Sequence, residues 1–119
     1  MEQRIFNDRI VLFKEDGIHV AVSLNFYLVA EADDMETAFK RLKDATTGYL
    51  EVAIEDGDSD EEIYRQAPKE YQNMWDNAIE VNRFPPHKPQ KGVLKKKENS
   101  ILKKEVRVRT EAYEPSMVS

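Results

Sequence analysis

Apolar and polar positions alternate along the first third of the chain and then switch abruptly to a helical period. Ile10, Val11, Leu12 and Phe13 are apolar in succession, inside a stretch from Arg4 to Lys14 rich in β-formers. That is the pattern of a strand covered on both faces. Asp16-Gly17 accepts the two positive φ values of a type I′ hairpin, so the chain should reverse at Ile18. Beyond it, Ile18, Val20, Val22 and Leu24 share one face, and His19, Ala21, Ser23 and Asn25 share the other. The first of these faces is the one a helix should cover. After a corner near Asn25-Phe26, Tyr27 to Ala32 reads as a third strand that completes an antiparallel meander.

The period changes at Asp33-Asp34, where either aspartate can cap a helix and Asp33 with Glu36 has capping-box spacing. Met35, Ala38, Phe39, Leu42, Ala45, Tyr49, Leu50 and Ala53 then recur at steps of three and four. They form one stripe about five turns long, the expected lid of the sheet. Gly48 costs about 1 kcal/mol relative to Ala in a helix and predicts a close approach of that turn to a strand or a partner. Gly57 is a natural left-handed stop. Ser59 with Glu62 offers a second capping box for a short helical piece. Pro68 then opens a second helix over 68–82, on which Tyr71, Met74, Trp75, Ala78 and Ile79 share a face.

FPPHKPQKG, within 83–92, is a Pro-rich linker and the one internal boundary the composition marks. Residues 1–82 form an α+β domain on this reading. Residues 93–119 form a basic C-terminal segment with a candidate strand over 104–113, where Val106 and Val108 alternate with Arg107 and Arg109. That strand should pair with an edge of the meander or await an edge supplied by a partner.

Charge divides the chain in the same place. The 119 residues carry a net charge of −5, but residues 1–82 hold 8 Lys+Arg against 19 Asp+Glu, whereas 83–109 hold 10 against 2. An acidic body repels nucleic acid and attracts a basic protein, while the basic segment can seek phosphate or fold back on the body. There is no cysteine, which excludes disulfides and thiolate metal sites and fits a reducing compartment. No apolar run approaches the roughly 18 residues of a membrane span, and no leader pattern opens the chain, so a cytoplasmic, non-membrane protein is expected.

Catalytic chemistry finds little support. His19 and His87 stand far apart, and no cofactor or metal is expected. Glu31, Asp33, Asp34 and Glu36 could hold Mg²⁺, but capping and the helix dipole account for three of them. His19 and Ser23 are spaced too far along a strand for a nucleophile-base pair. The four glycines are scattered singly, so no phosphate cradle is written. The expectation is a binding protein, not an enzyme.

The run KEDGIHVAVSLNFYLVAEADDMETAFKRLKDATTGYLEVAIEDGD resembles the HicB family of antitoxins. Gly17 matches the family's hairpin glycine; Glu36, Ala38, Phe39, Leu42 and Ala45 match its helix opening, and Tyr49-Leu50-Glu51 its helix end. YRQAPKEYQNMW resembles a continuation found in some HicB-like proteins, so the likeness spans about residues 8–76. It departs at the corner, where Asn25-Phe26 replaces Pro and Gly, and in the C-terminal region. There a basic segment stands in place of the DNA-binding module that many members carry.

The resemblance implies a truncated RNase H-like ββ(β)αβ fold without nuclease activity. It also implies a partner, a small basic RNA-cleaving toxin of the HicA type, neutralised by masking. Acidic residues Asp44, Glu51, Glu55 and Asp56 would meet the toxin, with Tyr49, Tyr71 and Trp75 as apolar anchors. The competing expectation is a stand-alone adaptor whose basic segment contacts nucleic acid or another protein through Lys95, Lys96, Lys97, Lys103, Lys104, Arg107 and Arg109. One sheet face and one edge look uncovered, which predicts a homodimer or higher oligomer.

Overall fold

In the computed structural model, which describes residues 4–80 and 101–110 (the last two by backbone alone), eight elements follow one another. They are β1 (Arg4–Glu15), β2 (Ile18–Ser23), β3 (Val29–Ala32), α1 (Met35–Glu55), α2 (Asp60–Ile63), α3 (Lys69–Asn77), β4 (Ile79–Glu80) and β5 (Leu102–Thr110). The strands form one sheet in the order β3-β2-β1-β5-β4, antiparallel except where β4 runs parallel to β5. The architecture is α+β, the expected class. The expected linker over 83–92 lies outside the described residues.

The β1-β2 hairpin closes through the two residues foreseen: Asp16 and Gly17 have φ of 52° and 81°, and Glu15 pairs with Ile18. Val11, Leu12 and Ile10 on β1 are buried on alternate faces because helices cover the sheet from both sides. On one side α1 lays Ala38, Phe39 and Leu42 over Ile10, Leu12, Ala21 and Ala32, and Leu50, Ala53 and Ile54 over Phe6, Phe26 and Val108. On the other side Tyr71, Met74 and Trp75 of α3 pack against Val11, Phe13, Val20, Val22 and Leu24.

That arrangement corrects the expected facing of β2. The long helix covers the Ala21 face, not the Val20-Val22-Leu24 face. Side-chain size gives the reason: Ala21, Ala30 and Ala32 leave room for Phe39 and Leu42 to reach the sheet, and the bulkier valines are met by the shorter, aromatic α3. The face of Ala21, expected to be the lightly covered one, thus carries α1, and the Val20-Val22-Leu24 face carries α3.

The helix ends follow their local chemistry. Asp34 caps α1 by accepting from the Thr37 amide at 2.8 Å, and Thr37 Oγ1 donates to its other oxygen at 2.9 Å. At the far end Gly57 (φ 76°) donates to Ile54 O and Asp58 donates to Ala53 O, a Schellman closure. The Ser59–Glu62 capping box is formed, and it sets Ile63 of α2 into the core under the end of α1.

Four further details differ from the sequence reading. Ala45 is exposed, and the buried position beside it is Thr46, whose hydroxyl donates to Leu42 O at 2.8 Å. β3 begins at Val29 because Tyr27 turns the chain with φ 52°. The second helix covers 69–77, not 68–82: Pro68 is its N-cap, and at Ala78 the backbone turns extended so that Ile79 pairs beside Leu102. β5 starts two residues earlier than foreseen and pairs with β1 from Leu12↔Leu102 to Arg4↔Thr110, which places the C-terminal strand inside the sheet.

Candidate functional site: the outer face of α1

One flank of α1, beside the segment that holds Asp58 and Arg65, carries a shallow groove of about 490 Å³. Its floor is Ala45, Gly48, Val52 and Ala53, and its walls are Tyr49, Asp56, Asp58 and Arg65. Val52, in the last turn of α1, is 57% exposed. The close packing expected at Gly48 is absent: a Cβ there would meet nothing within 4 Å. The glycine leaves a bare stretch of backbone facing solvent, one residue from Tyr49 and one turn from Val52.

Acidic side chains rim this strip. Asp44, Glu51 and Glu55, spaced by seven and four, project along one side of α1, and Asp56 closes the other. Asp44, Glu55 and Asp56 are exposed and Glu51 is half-buried. The ion pair of Arg4 with Asp60, at 2.6 Å, lies off this strip. Tyr49 is half-committed to the fold: its hydroxyl donates to Ile63 O at 2.7 Å and its ring tilts against Phe26 at 6.0 Å. The Arg65 guanidinium stands 5.6 Å over that ring and supplies the groove's cation.

The structure therefore puts Tyr49 and Asp56 in the groove and Asp44, Glu51 and Glu55 on the adjoining solvent side of α1, but places Tyr71 and Trp75 on the opposite side of the sheet. Those two are half-buried core residues, Tyr71 stacked on Phe13 at 6.3 Å. The basic set also divides. Lys103 reaches the Trp75 ring on the α3 side, whereas Lys104 lies on the α1 side, 6.0 Å from the Phe39 ring centre. Arg107 is exposed, Arg109 is placed by its backbone opposite Ile5, and Lys95, Lys96 and Lys97 lie outside the described residues.

Sequence reasoning passed over Asp8. Its carboxyl is 1% exposed; Oδ1 accepts from Ser23 Oγ and the Arg9 amide at 2.9 Å each and from the Asn25 amide at 3.2 Å. Oδ2 is buried without a partner, and burial pushes the acid up to about 6 despite those donors. The available signal was its place in the alternation Phe6, Asp8, Ile10, Leu12, every other member of which is apolar. Ser23 is fully buried and also accepts from the Phe26 amide at 3.2 Å, so its hydroxyl is committed to the corner. His19 is lowered by burial and then by Lys14, and its Nδ1 is buried without a partner. Among the described residues no three His, Asp or Glu side chains converge as a metal site, and no helix is long and apolar enough to cross a membrane.

No family model, curated protein or solved structure matches the chain.

Proposed function

We propose that this chain is a cytoplasmic binding protein of the HicB-like antitoxin kind, which masks a small basic RNA-cleaving partner of the HicA type. The observation that carries the reading is the groove on α1: exposed Val52 beside the bare backbone of Gly48, lined by Asp56 and Asp58, with Asp44, Glu51 and Glu55 on the neighbouring side of the helix. Apolar contact at the centre with charge at the rim is how protein interfaces divide affinity from steering. A cationic RNA-binding surface docked there would be covered and neutralised together. No step in this function needs catalysis by the chain.

The test is rescue of growth. Cells making a small basic RNA-cleaving toxin of the HicA type should be protected by the wild-type chain and not by Val52→Arg, which inserts a charge into the groove. Since Val52 is exposed, the variant should keep its fold, read by circular dichroism. Full rescue by Val52→Arg would reject the α1 groove as the masking surface.

A further inference from the structure

The other side of the sheet is only partly covered. α3 packs on Val11, Phe13 and β2, and it leaves the paired halves of β1 and β5 open on that side: Asn7, Glu105 and Arg107 are exposed, and Ile5 is 55% exposed. The pairing places Arg9 opposite Glu105, flanked diagonally by Lys103 and Arg107. At the border with α3 the Trp75 ring holds two of these cations, Arg9 at 5.6 Å and Lys103 at 4.9 Å from its centre. Arg9 is oriented further by Asn25 Oδ1 at 3.0 Å and Gln72 Oε1 at 3.2 Å, both neutral acceptors. Among the described residues the side-chain nitrogens of Arg9, Lys103 and Arg107 have no carboxylate oxygen within 4.0 Å.

Arg9 and Lys103 repel one another on one ring, Asp8 and the facing Glu105 balance only part of the positive charge, and an anion seated beside them relieves the remaining cost. We propose that this open β1-β5 face is a binding surface for single-stranded nucleic acid, held by its phosphates through Arg9, Lys103 and Arg107. Lys103 and Arg107 stand about 13 Å apart along β5, with Glu105 between them and Arg9 opposite it on the neighbouring strand, a net-cationic strip that suits a polyanion. An acidic protein would need an apolar centre to its interface, and among the described residues only Ile5 offers one on this face. A duplex groove admits a free two-stranded ribbon, but β1 and β5 are flanked by β2 and β4, so a strand laid flat on the sheet is the fitting geometry. The surface lies across the sheet from the α1 groove and does not depend on it.

The experiment is fluorescence anisotropy of the full chain with a labelled oligouridylate and an oligothymidylate of equal length, in stepped salt. Both are expected to bind, because the contacts are to phosphate. Lys103→Ala with Arg107→Ala should make the slope of log affinity against log salt shallower by about 1.4 and weaken low-salt binding at least about tenfold. Arg107→Ala alone, at an exposed position, should take about half of that change in slope, and it serves if the double variant does not fold. Lys104→Ala, on the α1 side, should leave the slope unchanged. Absence of salt-sensitive binding, an unchanged slope in the Arg107 variant, or an equal loss with Lys104→Ala would overturn the proposal. So would polyglutamate bound as tightly as the oligonucleotides at the same salt, which would mark an acidic-protein surface.

Discussion

The Ser23 hydroxyl donates to Asp8 Oδ1 at 2.9 Å, and this bond ties the end of β2 to the middle of β1. The same carboxylate oxygen collects the Asn25 amide, while Ser23 Oγ takes the Phe26 amide, so two side chains satisfy the backbone of a corner that has neither proline nor glycine. Arg65 and Ala67 then add their amides to Asn25 O and Leu24 O, which brings the segment after α2 back across the sheet to start α3. Both helical layers are thus referred to one buried carboxyl.

Asp8 should make stability depend on pH in an unusual direction. Its acid is raised in the folded chain, from 3.8 to about 6, so the fold binds its proton more tightly than the unfolded chain does. That contribution is fully present below about pH 4 and is lost as pH rises through about 6. Asp8→Asn keeps an acceptor for the three donors and has no proton to lose. Urea unfolding should show wild type losing up to about 3 kcal/mol relative to Asp8→Asn between pH 4 and 7. Parallel pH profiles for the two proteins would refute it.

Gly48 separates stability from binding. Its site is open and its φ is not positive, so Gly48→Ala should stabilise the helix by roughly 0.5–1 kcal/mol, seen as a rise in Tm. Gly48→Trp at the same open position should fold yet fail to capture the basic partner, because the indole fills the groove. A fall in Tm with alanine would mean that the backbone there is packed after all.

β3 ends the sheet, and the Arg41 guanidinium donates to its Glu31 carbonyl at 2.8 Å. A capped edge resists pairing with another chain. Arg41→Ala should therefore raise the concentration-dependent mass measured by analytical ultracentrifugation above that of wild type. Equal mass profiles would show that this contact does not guard the edge.

The C-terminal strand should be indispensable to folding. β5 pairs along most of β1 and buries Val108 against Phe6, so a chain ending at residue 92 exposes a long central edge. It should lose the cooperative thermal transition of the full chain. An unchanged Tm would contradict the placement of β5 in the sheet.

Much of this fold is written locally. Asp16-Gly17, the apolar run of β1, the Asp34 cap, Gly57 and the Ser59–Glu62 box are each set by neighbours within a few residues, and each appears in the structure where its chemistry places it. What depends on distant partners was not legible. Which face of β2 meets α1 turns on the alanines of β3; Ile79 leaves the helical pattern because β5 offers an edge; and Gly48 reads as a packing glycine until the surrounding space is known. The acidic side of α1 was legible as a surface, whereas Arg9 and the Trp75 pairing with Lys103 required the cross-strand register.

The decisive measurement is isothermal titration of the full chain with a small basic RNA-cleaving protein of the HicA type. A saturable complex is expected, weakened at least about tenfold, or roughly 1.4 kcal/mol, by Val52→Arg and by Glu51→Lys with Glu55→Lys, while Lys103→Ala leaves it unchanged. No complex, or a complex indifferent to the α1 substitutions, would contradict the account.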